Sequence, residues 1–170
     1  MATGLAALRI LVIDDNEQMR EVVGTVLSAA GVEHLHYAGD GRRGLEIIAT
    51  VAIDVVYVDH EMPVMNGLDF ISAVRAPDSS ARYLPIIMLT GYADLSHLSA
   101  ARDRGVTEFL AKPVNAKSIL ARLNAVIMDP RPFVQSPDFF GPDRRRKQAA
   151  DYDGPLRRAS DGGEPSSAAS

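Results

Sequence analysis

The chain is 170 residues long, 46% apolar by residue count and 24% charged, and it carries a formal net charge of −4. It contains no cysteine, which excludes a disulfide framework, a thiolate zinc site and a cysteine nucleophile. Its N-terminal sequence forms neither a basic leader nor an apolar run long enough to cross a bilayer, so we expect a cytoplasmic protein without a membrane segment.

The net charge is unevenly distributed along the chain. Residues 1–128 carry 11 basic and 15 acidic side chains, whereas residues 129–170 carry seven of each, hold six of the ten prolines and contain only two Ile, Leu or Val residues. We therefore expect one folded domain over residues 1–128 and no conventional core after it. The rest divides into a linker at 129–140, an arginine-rich binding segment at 141–161 and a disordered tail at 162–170.

Apolar runs and amphipathic stretches alternate along residues 1–128. The run from Leu8 to Ile13 ends in Asp14-Asp15, as a strand buried on both faces does. The next stretch, from Asn16 to Gly31, has an N-capping residue and apolar side chains at helical spacing. The same alternation predicts strands at 32–37, 54–58, 86–89 and 108–110, and helices at 40–49, 67–75, 95–104 and 115–127.

Five strands separated by single helices predict a parallel sheet with helices on both faces. In such sheets, ligands bind at the carboxyl ends of the strands. The residues that follow the strands are polar and would meet on this rim of the sheet: Asp14, Asp15, Asp59, Thr90 and Lys112.

Three neighbouring carboxylates need a compensating positive charge, and a hard divalent ion such as Mg²⁺ supplies it through oxygen ligands. The chain has no Gly-rich phosphate loop and no Walker lysine, so nucleotide triphosphate hydrolysis is not indicated. A carboxylate that accepts a phosphoryl group fits better. Taken singly, Asp14 and Asp15 could be a helix N-terminal cluster and Asp59 a loop cap, but five such residues at strand ends favour a site.

Four motifs carry a resemblance to a known family: VIDDNEQMR at 12–20, VVYVDHEMPVMNGLDF at 55–70, MLTGY at 88–92 and FLAKPV at 109–114. Over about residues 8–128 the chain resembles the receiver domain of bacterial two-component response regulators, which has the CheY-like fold. The resemblance implies an α/β, doubly wound, five-stranded parallel sheet in the order 2-1-3-4-5 with five helices. It also implies that the protein is a component of a phosphorelay and not an enzyme. The only reactions it would catalyse are phosphorylation and dephosphorylation of the domain itself.

The resemblance assigns Asp59 as the phosphoacceptor, modified by a sensor histidine kinase or a phosphotransfer protein. Asp14 and Asp15 would bind Mg²⁺ together with Asp59 and the backbone carbonyl of Glu61. The side chain of Glu61 adds a further carboxylate beside the acceptor, which is less typical of the family.

The remaining family positions also have counterparts. Thr90 and Phe109 occupy the two switch positions, a hydroxyl and an aromatic ring that move together on phosphorylation. Lys112 would contact the phosphoryl oxygens, and its bond to Pro113 corresponds to a cis peptide. Tyr92, two residues after the hydroxyl, is bulkier than is typical.

Residues 129–170 contain a repeat, DFFGPDRR at 138–145 and DYDGPLRR at 151–158. Between residues 141 and 158 there are six basic and three acidic side chains. Arginine binds phosphates and guanine edges through paired hydrogen bonds, and aromatic rings stack on bases. The segment therefore favours a small anionic ligand that carries purines, and it contains no DNA-binding domain.

A receiver followed by an arginine-rich, Gly-Pro-containing tail resembles the Cle subgroup of CheY-like proteins, whose tails bind cyclic di-GMP and direct them to the flagellar motor switch. The resemblance implies that residues of the tail bind the nucleotide. These are Asp143, Arg144, Arg145, Arg146, Tyr152, Asp153, Arg157, Arg158 and Asp161, the last within an RxxD pattern.

Three hypotheses follow from the sequence. The first is a cyclic di-GMP-binding adaptor that docks on the flagellar motor switch. The second is a stand-alone phosphorelay acceptor at Asp59, in which the tail is only a docking peptide. The third is a tail that binds RNA, although six basic residues make a small footprint for a polymer.

Overall fold

The structure is a computed structural model that describes residues 4–91 and 95–143, with the side chains of residues 95–97 left out. Its elements follow the predicted alternation to within a residue or two at most boundaries. The strands are β1 (Arg9–Ile13), β2 (His34–Ala38), β3 (Val55–Asp59), β4 (Ile86–Thr90) and β5 (Glu108–Ala111), and two further strands are β6 (Phe133–Ser136) and β7 (Phe139–Pro142). The helices are α1 (Glu17–Ala29), α2 (Gly41–Thr50), α3 (Gly67–Val74), α4 (Leu95–Arg104) and α5 (Ala116–Met128).

The first five strands form one parallel sheet in the order β2-β1-β3-β4-β5. This is the predicted order, and it brings the carboxyl ends of β1, β3, β4 and β5 to one rim. β1 and β3 lie at the centre, where strand order reverses. The fold prediction is confirmed.

The centre of the sheet is buried on both faces because β1 and β3 are apolar apart from Arg9 at the start of β1 and Asp59 at the end of β3. In β1, Ile10 and Val12 pack against α1 and α5, whereas Leu11 and Ile13 pack on the other face with α2 and α3. Side chains two residues apart share a face of a strand, so a continuous apolar run supplies both cores at once. The polar residues that end these strands are therefore positioned by a rigidly packed sheet.

A β-hairpin corrects the prediction that residues 129–140 are a linker. Strands β6 and β7 pair antiparallel across a turn at Pro137 and Asp138. The hairpin forms because its aromatic side chains find a surface on the domain, which a count of aliphatic residues does not reveal. The boundaries of the arginine-rich segment and of the terminal tail stay predictions.

The hairpin packs on the loops that precede β4 and β5. Phe133 lies 5.0 Å and Phe140 5.4 Å from Tyr83, measured between ring centroids, both with edge-to-face geometry. A Cβ on Gly141 would lie 2.7 Å from the Cα of Gly105, so only glycine allows this close approach. Arg131 adds a 3.2 Å ion pair with Glu108.

Among the described residues, no helix has both the length and the apolar character needed to cross a bilayer.

Candidate functional site

Three carboxylates meet at the carboxyl ends of β1 and β3. One oxygen from each of Asp14, Asp15 and Asp59 lies within 4.8 Å of the others. Asp14 and Asp59 are buried, with 1% and 6% of their surface exposed, whereas Asp15 is exposed. The structure thus brings together the three acidic residues that the sequence predicted would meet.

Asp14 is fixed by the start of α1. Its Oδ1 accepts a hydrogen bond from the backbone N–H of Asn16 at 2.9 Å. Asn16 in turn caps α1 by accepting from the N–H groups of Gln18 and Met19. Arg20 donates to the Asp14 carbonyl at 2.7 Å. Only the second carboxylate oxygen of Asp14 is left to face the site.

Lys112 supplies the positive charge of the site. Its Nζ lies 2.8 Å from Asp59 Oδ1 and 3.7 Å from Asp14 Oδ2. The backbone N–H of Lys112 donates to the Thr90 carbonyl at 2.9 Å, which ties the end of β5 to the end of β4. The Lys112–Pro113 peptide bond is cis, as the resemblance to receiver domains implied.

The backbone behind Asp59 is closely packed. Gly67, the first residue of α3, donates its N–H to the His60 carbonyl at 2.9 Å. A Cβ on Gly67 would collide with the carbonyl oxygen of Asp59. Glycine at this position therefore lets α3 begin directly against the strand that carries Asp59.

Burial sets the protonation behaviour of the cluster. It raises the pKa of Asp59, and the hydrogen bond and charge of Lys112 oppose that rise. It also raises the pKa of Asp14, to which the charge of Asp59 contributes. Burial alone would lower the pKa of Lys112, but its contacts with Asp59 and the charges of Asp14 and Asp15 outweigh burial and raise it. One ammonium thus faces three carboxylates.

The donor set fits a hard divalent cation. Among the described residues, Asp14 Oδ2 is the one buried side-chain nitrogen or oxygen atom without a hydrogen-bond partner. The ammonium of Lys112 lies 3.7 Å from this oxygen, and a buried carboxylate oxygen without a hydrogen bond is costly unless a cation in direct contact compensates it. Oxygen ligands from Asp14, Asp15 and Asp59 would suit Mg²⁺, which binds a few carboxylates and keeps several waters.

The other predicted receiver residues lie around this cluster. Thr90 is buried with 5% of its surface exposed and pairs with Ala111 in the sheet, while Phe109 pairs with Met88. Because residues two apart share a face, Thr90 and Phe109 lie on the same face of neighbouring strands. The side chain of Glu61 is exposed and is not one of the three carboxylates that meet.

Most of the predicted ligand residues of the tail lie outside the described residues, as does Tyr92. Asp143 is described, and its N–H donates to the Pro132 carbonyl at 2.8 Å, which fixes the point where the arginine-rich sequence begins. The undescribed members are Arg144, Arg145, Arg146, Tyr152, Asp153, Arg157, Arg158 and Asp161.

Sequence reasoning missed a buried arginine at the other end of the sheet. Arg75 has 5% of its surface exposed and donates to the carbonyls of Gly105, Arg82 and Leu84 at 2.7–2.9 Å. Burial lowers the pKa of its guanidinium, which stays protonated at neutral pH. No periodicity marks this position, because its partners are backbone carbonyls.

Sequence comparison gives a family match and close relatives. The model of the "Response regulator receiver domain" matches residues 10–124. The chain is 30% identical to chemotaxis protein CheY-3 of Vibrio cholerae over 119 residues, which cover 70% of this chain and 91% of that protein. It is 36% identical to response regulator MprA of Mycolicibacterium vanbaalenii over 120 residues, which cover 71% of this chain and 50% of MprA.

Structure comparison agrees. Chemotaxis response regulator CheY4 of Vibrio cholerae superposes with a TM-score of 0.66 at 34% sequence identity, covering 70% of this chain and 98% of that structure.

Proposed function

Because the chain belongs to the response regulator receiver domain family, we propose that Asp59 accepts a phosphoryl group from a sensor histidine kinase or a phosphotransfer protein. One observation carries the proposal. Asp59 lies buried at the end of β3, 2.8 Å from the ammonium of Lys112 and beside two further carboxylates. A buried, cation-paired carboxylate is suited to attack phosphorus and to hold the product.

In the transfer, an oxygen of Asp59 forms the new P–O bond while the P–N bond of a phosphohistidine breaks. The donor imidazole leaves with the electron pair and regains a proton. Lys112, whose contact with Asp59 Oδ1 would shift to the phosphoryl oxygens, neutralises part of their charge. Mg²⁺ bound by Asp14, Asp15, Asp59 and the carbonyl of Glu61 would neutralise the rest. Thr90 and Phe109, on one face of neighbouring strands, are the residues that would move when Asp59 is phosphorylated.

Incubation with acetyl phosphate and Mg²⁺, followed by intact-mass measurement, tests this proposal. We expect one added phosphoryl group on the wild type, none on Asp59→Asn, and none when EDTA replaces Mg²⁺. Asp78→Asn, which removes an exposed carboxylate from the loop between α3 and β4, is the matched control and should be labelled like the wild type. An unlabelled wild type, or equal labelling of Asp59→Asn, would refute the proposal.

We also propose that the arginine-rich segment binds cyclic di-GMP and that the bound form docks on the flagellar motor switch. Two features support this. The sequence at 138–158 repeats an aromatic residue, Gly-Pro and a pair of arginines, and its first arginines follow Asp143, whose backbone N–H donates to the Pro132 carbonyl. The similarity to chemotaxis protein CheY-3 supports a role in chemotaxis.

Calorimetry with cyclic di-GMP tests the ligand. We expect binding by the full chain and at least a tenfold loss when Arg144, Arg145, Arg157 and Arg158 are all changed to Ala. Changing Arg42 and Arg43 to Ala, which removes two exposed arginines from α2, should leave the affinity unchanged. Absence of binding, or binding that the four substitutions do not alter, overturns the proposal. Salt-sensitive binding of arbitrary RNA in its place would favour the RNA hypothesis.

Co-sedimentation with a purified flagellar switch protein tests docking. We expect complex formation to increase when cyclic di-GMP is added, and the increase to be absent in the variant that lacks the four arginines. A complex that forms equally with and without the nucleotide would refute coupling of the ligand to docking.

A further inference from the structure

Strand β2 is an edge of the sheet, and its outer backbone is left without a partner. It pairs with β1 along five residues. Among the described residues, no strand pairs with its other side and no side chain hydrogen-bonds its backbone. The strand at the opposite edge, β5, differs, because Arg122 donates to its Phe109 carbonyl at 2.7 Å.

β2 also lacks the features that keep edge strands from associating. Its sequence, HLHYA, contains no lysine, arginine, carboxylate or proline, and no bulge interrupts its register with β1. Edge strands in natural proteins are protected by such features or by a covering segment. The free edge of β2 is therefore suited to main-chain pairing with another strand.

Two histidines share one face of this strand. His34 is exposed and His36 is half-buried, and side chains two residues apart project from the same face about 7 Å from each other. Neither imidazole has a hydrogen bond or an ion pair within the part of the chain that the structure describes. Neutral imidazole is a preferred ligand of borderline divalent cations such as Zn²⁺, which binds four ligands. No third described side chain of the same copy joins the pair to form a larger group of metal ligands.

A second copy of the chain supplies the two ligands that are missing. When two β2 strands pair antiparallel with Leu35 opposite Leu35 of the second copy, His34 lies opposite His36 of the second copy, and the reverse. Cβ atoms of directly opposite residues lie about 4.5–5.5 Å apart, so four imidazoles gather on one face. Such a contact has two-fold symmetry and closes with two chains.

The other face of the edge leaves space for this approach. A groove of about 810 Å³ lies between α1 and β2, and its lining includes the small residues Gly24, Thr25 and Ser28. The charged residues of the groove belong to the first half of α1. A two-fold axis would therefore set the charged half of α1 in one copy beside the small-residue half of α1 in the other.

We propose that two copies of the chain pair through β2 and bind one Zn²⁺ between His34 and His36 of each copy. Arg9 lies beside His34 on β1, but it is exposed, so water and salt screen its charge from the cation. The proposal uses neither Asp59 nor the arginine-rich segment, and its failure would leave the proposed function untouched.

Sedimentation velocity of the full chain with added ZnCl₂ tests the dimer. We expect the wild type to dimerise with zinc and to return to monomers in EDTA. His34→Gln and His36→Gln should each raise the zinc concentration for half-maximal dimerisation at least about tenfold, since even indirect partners of a metal site have effects of that size. His97→Gln, which removes a histidine from α4, is the matched control and should dimerise like the wild type.

Bound zinc is counted by difference, because the acceptor carboxylates also attract cations. The wild type should hold one Zn²⁺ per two chains more than the double variant His34→Gln/His36→Gln. A wild type that stays monomeric at saturating zinc, or a zinc-dependent dimer that the double variant also forms, would overturn the proposal.

A single introduced thiol tests the register, because the chain contains no cysteine. Leu35→Cys sets two thiols opposite each other and should form an intermolecular disulfide on mild oxidation with zinc. Tyr37→Cys lies on the same face of β2, but its two thiols would be about 13 Å apart and should not cross-link. Cross-linking of Tyr37→Cys and not of Leu35→Cys would refute this pairing. If Leu35→Cys loses its circular dichroism spectrum, the histidine variants decide the outcome.

Discussion

Arg75→Met is expected to destabilise the protein strongly although it lies far from the acceptor site. The side chain donates to two buried carbonyls, of Gly105 at 2.9 Å and of Leu84 at 2.7 Å, and to the partly buried carbonyl of Arg82 at 2.8 Å. Each buried acceptor left unpaired costs about 1–3 kcal/mol, so the two carbonyls together cost about 2–6 kcal/mol.

Part of this cost is recovered, because methionine removes a guanidinium that is buried without a carboxylate. We therefore expect Arg75→Met to lower the free energy of unfolding by about 2–4 kcal/mol, the lower part of the range of about 2–6 kcal/mol for the two carbonyls. The variant should also expose the hairpin, because Phe133 packs 4.9 Å from the Arg75 guanidinium.

Urea unfolding followed by far-ultraviolet circular dichroism measures this change, since the chain has no tryptophan for fluorescence. Arg43→Met is the control: it removes an exposed pair with Glu46 and should cost less than about 0.5 kcal/mol. If Arg75→Met loses less than about 1 kcal/mol, or no more than Arg43→Met, the carbonyl contacts do not stabilise the fold as reasoned.

The remaining predictions concern the acceptor site and the core. Because the folded state raises the pKa of Asp14 and Asp59, it binds protons more readily than the unfolded chain, and their contribution to stability is lost as the pH rises through the folded pKa. Without divalent ions, the melting temperature of the wild type minus that of Asp59→Asn should therefore be lower at pH 7 than at pH 5. Mg²⁺ at about 100 times its Kd should add about 2.7 kcal/mol to the free energy of unfolding of the wild type at pH 7. Gly67→Ala should cost about 1–3 kcal/mol and slow phosphorylation, because the added Cβ meets the Asp59 carbonyl. Tyr57→Phe should cost about 1 kcal/mol by thermal melting, because the buried Tyr57 hydroxyl donates to the Ile119 carbonyl at 2.9 Å.

Matched variants separate these effects from non-specific damage. Gly39→Ala meets no atom closer than 3.9 Å, so phosphorylation and stability should stay at wild-type levels. Tyr83→Phe removes a hydroxyl from an exposed ring and should leave the melting temperature unchanged. Equal effects of Gly67→Ala and Gly39→Ala would contradict the collision with the Asp59 carbonyl. A melting-temperature difference between wild type and Asp59→Asn that does not depend on pH would contradict the raised pKa values. No loss of stability in Tyr57→Phe would contradict a stabilising role for its hydrogen bond.

The sheet and the acceptor site could be predicted because both depend on local patterns. Continuous apolar runs identify strands buried on two faces, and parallel topology then brings their polar ends, such as Asp14, Asp59 and Lys112, to one rim. Nothing beyond the order of the elements was needed to place those residues together.

The hairpin and the buried arginine could not be predicted in this way. β6 contains only two apolar residues, Phe133 and Val134, and prolines precede and follow it, so its sequence is typical of a linker. Charged residues are rarely buried unless paired, and Arg75 is compensated by three carbonyls from two separate loops. Such partners become apparent only when the loops before β4 and β5 are placed in space.

The position of the hairpin has a consequence for how two signals could combine. It packs where β4 and β5 start, whereas Asp59 and Lys112 lie where the strands end, and a five-residue strand spans about 17 Å. That separation is about twice the screening length of about 8 Å in physiological salt. A phosphoryl group on Asp59 and an anionic ligand bound beside the hairpin would therefore scarcely influence each other through charge. Cooperation between them would require a mechanical displacement along β4 or β5, and without one the protein would report two independent inputs to the same partner.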